Sequence, residues 1–246
     1  MLFTSETARN PPFIDLHTHR RSTASGVVAV SNFSQKDLEN EQNTEGSLLA
    51  SVGLHPWFLT KENFENDFKK LTQLVDNHNV VAIGECGLDK LRGEDLPFQT
   101  KAFEAQIRLA QSVSKPVLIH CVRAFNEVIA VKKRLNPTIP LVIHGFNKNA
   151  NVLNELLRHG FFISIGAAIL TQNSKHVTQN LQNTEGSPFA KNLLNIPLDR
   201  LFFETDDAEN IDISTIYQAA AKVLEKDIND LKSIIYANFK RYFSNF

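Results

Sequence analysis

The sequence predicts an α/β fold, a (β/α)8 barrel of the TIM type, and two patterns support this prediction. Eight short runs rich in apolar, β-branched or aromatic residues have the length of buried strands. Segments with helical periodicity separate most of these runs, and such alternation is typical of a parallel sheet with right-handed crossovers. Eight units in a chain of 246 residues favour closure into one barrel domain, residues 1–246, because about 250 residues is usual for that fold.

The predicted elements alternate along almost the whole chain. Strands are predicted at residues 13–16, 26–32, 47–54, 80–84, 116–119, 141–143, 161–165 and 201–205. Helices are predicted at residues 61–77, 97–114, 123–136, 149–158, 189–195, 214–225 and 230–243. A doubly wound sheet is the alternative, but the glycine-rich phosphate-binding turn of that fold is absent.

The first two units are expected to be irregular. Only about nine residues separate the first strand from the second, whereas a crossover helix needs a dozen or more. Residues 37–46 are polar and acidic and would form at most a short exposed helix.

Composition limits the partners and the compartment. The net charge is −1 and the pI about 6.7, so no global basic field attracts polyanions. The two cysteines, Cys86 and Cys121, form no disulfide framework and suit a reducing cytosol. The first residues lack the pattern of a signal peptide, and no apolar run approaches the ~20 residues of a membrane span. A cytoplasmic location without a membrane partner is therefore expected.

Five of the strand runs lead directly into residues that bind metals. These residues are His17, His19, Glu85, His120, His144 and Asp206. Because TIM barrels keep their chemistry at the C-terminal tips of the strands, we expect all of them in one pocket. The two later histidines should then lie within about 8 Å of the glutamate, twice the ~4 Å spacing of two-metal sites. Any one of these residues alone would more often be structural, but together they predict a two-metal hydrolase site.

Four further residues are candidates for supporting roles. Asp15 shares a strand face with His17 and is expected to fix a histidine tautomer from deeper in the barrel. Asp89 lies within reach of the strand end at Glu85 and is expected in the same supporting layer. His55 follows a strand end, where it orients substrate or bonds a loop. Arg123 begins a predicted helix, where it would bind a phosphate or lie on the surface.

Side chains next to the strand ends divide into packing residues and possible substrate contacts. Alternation along the strands turns both cysteines away from the neighbouring ligands, so they are expected to pack in the core. Aromatic residues follow several strand ends and could stack bases, although such residues are more often core. They are Trp57, Phe58, Phe125 and Phe146.

The order of these motifs resembles the TatD family of metal-dependent hydrolases, within the amidohydrolase superfamily of TIM barrels. The resemblance covers residues 13–243 and includes two helix motifs besides the strand ends. The matching segments are Asp15-Leu-His17-Thr-His19, Gly53-Leu-His55-Pro56, Gly84-Glu85-Cys-Gly87-Leu-Asp89, Lys115-Pro116-Val-Leu-Ile-His120, His144-Gly-Phe146, Glu204-Thr205-Asp206, the positions Gln99, Phe103, Gln106, Leu109 and Ala110, and Tyr236-Ala-Asn238-Phe239.

The resemblance implies two divalent metal ions, with Zn, Mn, Mg, Fe and Ni not distinguished. By motif position their ligands are His17, His19 and Asp206 for the first ion, His120 and His144 for the second, and Glu85 as the bridge. Glu85 and Asp206 would be catalytic, the latter as the acceptor of the proton of the attacking water. Family members are described as phosphodiesterase nucleases that trim DNA, often single strands. This implies nucleic acid ends or short oligonucleotides as substrate and no obligate protein partner.

The chain departs from the family pattern around the substrate. Ala208 stands where the family usually has proline, residues 207–212 form a short acidic stretch, and residues 144–148 read His-Gly-Phe-Asn-Lys. Two alternatives follow. Hydrolysis of a small cyclic amide or ester fits the missing basic groove, but relatives with that activity often use a carboxylated lysine where Glu85 stands. A metal-binding protein without turnover would not need a complete ligand set together with a base.

Overall fold

In the part of the chain that the structure describes, eight parallel strands form one sheet and pair in chain order from the first to the last. The computed structural model describes residues 11–21, 24–34, 37, 49–170, 192–208 and 210–243. The strands are β1 (Phe13–Thr18), β2 (Val27–Phe33), β3 (Leu49–Val52), β4 (Val80–Asp89), β5 (Val117–Val122), β6 (Leu141–Ile143), β7 (Phe162–Ile165) and β8 (Leu201–Phe203). The predicted barrel of parallel strands is confirmed.

The first and last strands meet at their C-terminal ends. The backbone N–H of Asp206 donates to the carbonyl of His17 at 2.9 Å, and the N–H of His19 donates to the carbonyl of Asp206 at 3.1 Å. Thr18 and Asp206 thereby form a parallel bridge beyond the end of β8. The contacts that close the barrel therefore also set the spacing of three predicted metal ligands.

The helices lie close to their predicted bounds. They are α1 (Phe64–Leu74), α2 (Leu96–Ser112), α3 (Phe125–Leu135), α4 (Ala150–Arg158), α5 (Ile213–Val223) and α6 (Ile228–Phe243). Short polar side chains begin three of them, since such side chains satisfy backbone N–H groups of the first turn. Asp95 accepts from Phe98 at α2, Asn149 from Val152 at α4, and Asp212 from Ser214 at α5.

The first two units are irregular, as predicted. The described residues between β1 and β2 contain no helix. The acidic segment 37–46 lies outside the described residues apart from Asp37, and the predicted helix at 189–195 also begins outside them. Within the described ranges, no helix is both long and apolar enough to cross a membrane.

Strand β4 is longer than the sequence predicted. It continues through Glu85 to Asp89 instead of ending at Gly84. Its pairing with β5 changes register between Ile83 and Cys86, and such an irregularity re-aims side chains within a sheet. Glu85 therefore lies inside a strand and not at a strand tip. The strand continues because Gly84 and Gly87 can adopt the positive φ angles found there.

Glycines bring β3, β4 and β5 closer together than side chains would allow. Gly87 has a φ of 147°, and a Cβ placed there would lie 2.0 Å from the carbonyl oxygen of His120. A Cβ on Gly53 would lie 2.7 Å from the Cα of Gly84. Both contacts are with backbone, which cannot move aside without shifting a strand that carries a predicted ligand.

Replacing Gly87 by Ala is expected to destabilise the protein strongly. Gly26→Ala is the matched control, because Gly26 also has a positive φ of 77° but a Cβ there would meet nothing within 4 Å. We expect the control to lose about 1–2 kcal/mol of unfolding free energy from backbone strain alone. Gly87→Ala should lose at least about 2 kcal/mol more, since the clash adds to the strain. Denaturant unfolding measures both, and equal losses would contradict the steric argument.

Both cysteines pack against the hydrophobic core. Cys86 is fully buried and Cys121 is partly buried. Burial raises the pKa of both thiols, to about 12 for Cys121. Neither thiol is therefore a thiolate at neutral pH, in keeping with a packing role.

Candidate metal centre

Glu85 lies at the centre of a group of histidines in the mouth of the barrel. Its Oε1 lies close to three imidazole nitrogens: 2.7 Å from His120 Nδ1, 2.8 Å from His144 Nε2 and 3.0 Å from His55 Nε2. Its Oε2 lies 3.3 Å from His17 Nε2 and 4.0 Å from His19 Nε2. The two oxygens of one carboxylate therefore face two different sets of histidines.

Asp206 completes the set on the side of Oε2. Its Oδ1 lies 3.4 Å from His17 Nε2 and 3.6 Å from His19 Nε2. Its backbone has a φ of 53°, a left-handed conformation that aspartate tolerates better than most residues. The barrel-closing bonds to β1 hold this conformation, so the carboxylate points across to the two histidines. The structure thus brings all six predicted ligands together.

The ligand atoms on the Oε2 side fit a cation. Atoms about 2.1 Å from a tetrahedral ion are about 3.4 Å apart, which matches the 3.3–3.6 Å separations of His17 from Glu85 and Asp206 and of His19 from Asp206. His17 is fully buried, and among the described residues neither of its ring nitrogens has a hydrogen-bond partner. A buried nitrogen without a partner is costly unless another group binds it. A metal ion in contact with Nε2 would satisfy it.

More than one grouping of these residues has the spacing of a metal site. In each, the ligand atoms lie within 4.8 Å of one another. The groups are His17, His19 and Asp206; His17, Glu85 and His144; His55, Glu85 and His120; and His144, Glu204 and Asp206. Glu85 belongs to two of the groups and is therefore shared between them.

The charged groups of the cluster shift one another's pKa values. Burial alone would raise the pKa of Glu85, but the surrounding histidines, His144 first among them, lower it well below its usual range. Burial alone would lower the pKa of His17, but the neighbouring carboxylates raise it to about 9. Burial likewise opposes the protonation of His144, yet Glu85 and Glu204 raise its pKa well above the ordinary value. The site therefore stabilises positive charge between its carboxylates, and bound cations would supply that charge.

His55 lies in the centre itself and not only at the substrate rim. Its Nδ1 accepts the backbone N–H of Trp57 at 3.1 Å, which leaves Nε2 to donate to Glu85. Burial lowers the pKa of His55, although Glu85 acts in the opposite direction. His55 is thus a neutral donor that orients Glu85, a contact that the sequence reasoning did not include.

Asp89 and Asp15 support the centre in different ways. Asp89 Oδ2 lies 3.2 Å from His120 Nε2, so it can hold the ring while Nδ1 faces Glu85. Asp15 was expected to accept from a histidine, but its carboxylate accepts the backbone N–H of Thr205 at 2.8 Å and the hydroxyl of that residue at 2.6 Å. Asp15 therefore fixes the chain after β8, just before Asp206. The physical reason is that closure of the barrel brings Thr205 closer to it than the histidine ring on its own strand.

Two positioning residues were not identified from the sequence. Asn32 is buried at the end of β2, and its Oδ1 accepts the backbone N–H of Glu85 at 2.8 Å. Glu204 is fully buried, and its Oε1 lies 2.5 Å from the N–H of Gly145 and 3.3 Å from His144 Nδ1. Each is a polar residue at the end of a mainly apolar strand run, and that is the signal by which they could have been found.

Replacing Glu204 by Gln is expected to weaken metal binding roughly 10- to 100-fold, the usual effect of losing the carboxylate behind a ligating histidine. The carboxylate holds His144 Nδ1 protonated and so directs Nε2 towards Glu85. Glu155→Gln, the same change on the exposed face of α4, is the control. Competition with a chromophoric chelator measures both affinities. Equal affinity in the two variants would show that Glu204 does not position His144.

Arg123 lies outside the group of ligands. It follows β5 with a φ of 54°, is exposed, and stands just before the first turn of α3. Arg20 organises the loop after Asp206, because its guanidinium donates to the carbonyls of Ala208 and Ile211 at 2.7 Å each. The short acidic loop is therefore held through its backbone.

Known proteins resemble this chain in sequence. A family model described as TatD related DNase matches residues 14–244. A protein of Edwardsiella piscicida named 3'-5' ssDNA/RNA exonuclease TatD is 31% identical over 212 residues, 79% of this chain and 77% of that protein. An uncharacterized metal-dependent hydrolase of Buchnera aphidicola subsp. Baizongia pistaciae is 32% identical over 162 residues, 65% of this chain and 56% of that protein.

A solved structure shows the same fold. The crystal structure of YJJV, a TatD homolog from Escherichia coli, superposes with a TM-score of 0.77 at 21% identity and covers 94% of this chain and 97% of that one. The family match spans nearly the whole barrel, and the Edwardsiella relative is more than 30% identical over most of the chain. The chain therefore belongs to the TatD family of metal-dependent hydrolases.

Proposed function

We propose that this protein hydrolyses phosphodiester bonds at single-stranded ends of DNA or in short oligonucleotides. The observation that carries the proposal is that the two oxygens of Glu85 face two separate sets of histidines. This arrangement suits two divalent cations a few ångströms apart, the geometry of phosphodiester hydrolases. The Edwardsiella relative, named as an exonuclease of single-stranded DNA and RNA, supports the substrate class.

Six residues would hold the two cations. His17, His19 and Asp206 would hold one cation, His120 and His144 the other, with Glu85 between them. When bound, the two ions would lower the pKa of water and stabilise charge on the phosphate. The ligands do not distinguish among Zn, Mn, Mg, Fe and Ni, since imidazole and carboxylate groups bind all of these.

Asp206 is the proton acceptor in this proposal. Burial would raise its pKa, but the neighbouring His17 and His19 lower the pKa below the usual range of a carboxyl group. The carboxylate therefore stays unprotonated and can accept the proton of the attacking water at an Oδ atom. His55 keeps Glu85 in place, and Arg123, exposed at the start of α3, would hold a phosphate oxygen.

A small cyclic amide or ester hydrolase is the second candidate. The observation in its favour is the acidic loop at 207–212, which offers no cationic groove for a long polyanion. A panel of single-stranded oligonucleotides and cyclic amides, each with Mg, Mn or Zn and with a chelator, separates the two candidates. Chelator-sensitive cleavage of oligonucleotides supports the proposal. Turnover of a cyclic amide without any oligonucleotide cleavage would refute it.

The dependence of DNA binding on salt is expected to be shallow. Two or three phosphate contacts at the metals and Arg123 give a log–log slope on single strands no steeper than about −2. The measurement is binding of metal-loaded Asp206→Asn to a labelled strand of about 20 nucleotides across a salt series, and a slope near −6 would reveal an extended basic groove.

A cytoplasmic location and one domain over residues 1–246 belong to the same proposal.

A further inference from the structure

Trp57 and Arg92 form a stacked pair beside the metal centre. The guanidinium carbon of Arg92 lies 4.2 Å from the centroid of the indole. The indole centroid lies 4.9 Å from the ring of His55 and 5.4 Å from the ring of His120, both of which contact Glu85. Trp57 is 37% exposed. Arg92 is exposed, and within the described residues its guanidinium has no carboxylate partner.

The loop that carries Arg92 is held firmly in place. The amide of Gln99 is buried and bonds both ends of the loop: its Oε1 accepts from Asp89 N at 2.7 Å, and its Nε2 donates to Glu94 O at 2.7 Å and to Arg92 O at 3.1 Å. Gly93 packs tightly against Pro56, since a Cβ there would lie 2.3 Å from the Pro56 carbonyl oxygen.

The indole is fixed as well. Its Nε1 donates to Asp89 at 2.5 Å. The pair is therefore formed before any ligand arrives, and a ligand that stacks on it would bear little of the entropy cost of ordering these side chains.

The chemistry of this surface selects a flat π-system. A planar cation on an indole presents a face on which nucleobases stack, and stacking accepts any base because every base has a π-face. Leu91, next to Arg92 in the sequence, is an apolar side chain that is 62% exposed. Among the other aromatic candidates, Phe146 is buried, and Phe58 and Phe125 are partly buried.

We propose that the Trp57–Arg92 pair binds the base of the nucleotide whose phosphate lies at the metal centre. The base stacks on the guanidinium face that points away from the indole. A base in this position is unstacked from its neighbour, which a single-stranded end permits and an intact duplex does not. The inference rests on the proposed phosphodiesterase function for the identity of the substrate.

Trp57 is the only tryptophan in the chain, so its fluorescence reports on this pair. Binding of a base to the pair can therefore be measured without turnover. We expect thymidine 5'-phosphate to change the emission of Trp57 and deoxyribose 5-phosphate, which lacks the base, to leave it unchanged. Arg92→Ala should raise the Kd of the nucleotide roughly 5- to 150-fold, the range of base stacking. Arg92→Lys keeps the charge but not the plane, so its Kd should rise similarly.

Arg241→Ala is the matched control. Arg241 is exposed, and its guanidinium carbon lies 5.2 Å from the centroid of the Tyr242 ring. Tyr242 packs on Phe162 at the start of β7, so this pair lies at the barrel end opposite the metal centre. Its nucleotide affinity and metal content should equal those of the wild type. Metal content should also be unchanged in Arg92→Ala. An equal response to the sugar phosphate, or wild-type affinity in Arg92→Lys, would overturn the stacking proposal.

Cleavage assays separate this inference from the proposed function. Arg92→Ala should lower kcat/KM on an ordinary oligonucleotide but not on one whose end nucleotides lack bases. If the nucleotide changes the emission of Trp57 but no oligonucleotide is cleaved with any metal, the stacking site stands and the nuclease proposal fails. If oligonucleotides are cleaved but Arg92→Ala affects both substrates equally, the nuclease proposal stands and the stacking site fails.

Discussion

Glu85→Ala is expected to lose both metal ions and to lose hydrolytic activity on the order of 10⁴-fold or more, as when a member of a catalytic unit is removed. The reason is geometric, because one carboxylate faces both sets of histidines through its two oxygens. Without it, each remaining set lacks a ligand and the histidines repel one another as they take up protons. Metal analysis of protein purified without added metal, followed by rate measurements with Mg, Mn or Zn, measures both losses.

Two further variants show whether the loss belongs to Glu85 itself. Glu62→Ala makes the same change on an exposed residue and should keep full metal content and activity. Glu85→Gln retains the shape but lacks the charge and should bind metal weakly. A Glu85→Ala protein that still bound two ions would rule out the bridging role.

Asp206→Asn is expected to keep at least one metal ion but to lose turnover by roughly 10²- to 10⁴-fold, the usual contribution of a general base. Asn has the shape of Asp and tolerates the left-handed backbone at φ 53°, so the barrel-closing bonds to β1 should persist. The amide cannot accept the proton of the attacking water. Metal content and the rate at saturating substrate separate the two effects.

Asp207→Asn supplies the control, since it is the same substitution on the adjacent exposed residue. It should change neither metal content nor rate. Full activity in Asp206→Asn would assign the base to another group, whereas loss of both ions would show that Asp206 is needed for the ligand cluster and not only for proton transfer.

Most of the ligand set could be predicted because its signal is local. An apolar run followed at once by His, Glu or Asp is visible in the sequence, and a parallel barrel brings the C-terminal ends of all strands to one face. Glu85 shows the limit of this reasoning. The sequence predicted that the strand would end at Gly84, before Glu85. The backbone at Gly84 and Gly87 instead lets β4 continue to Asp89, so Glu85 lies inside the strand.

Contacts between strands could not be predicted from local patterns. His55 and Asn32 both bind Glu85, although 30 and 53 residues of sequence separate them from it. Asp15 bonds Thr205, 190 residues away, and not the histidine on its own strand. Such partners depend on strand register, and a shift of one residue turns every side chain to the opposite face.

The sequence by itself determined the alternation of strands and helices, the barrel they form, and the identity of the residues at the strand ends. These follow from hydrophobic periodicity, which is a property of neighbouring residues. The tertiary structure alone decided which histidines each oxygen of Glu85 faces, that Glu204 lies behind His144, and that Arg92 stacks on Trp57. The physical reason is that hydrogen bonds and stacking act over a few ångströms, and only the closed barrel brings residues so distant in sequence that close together.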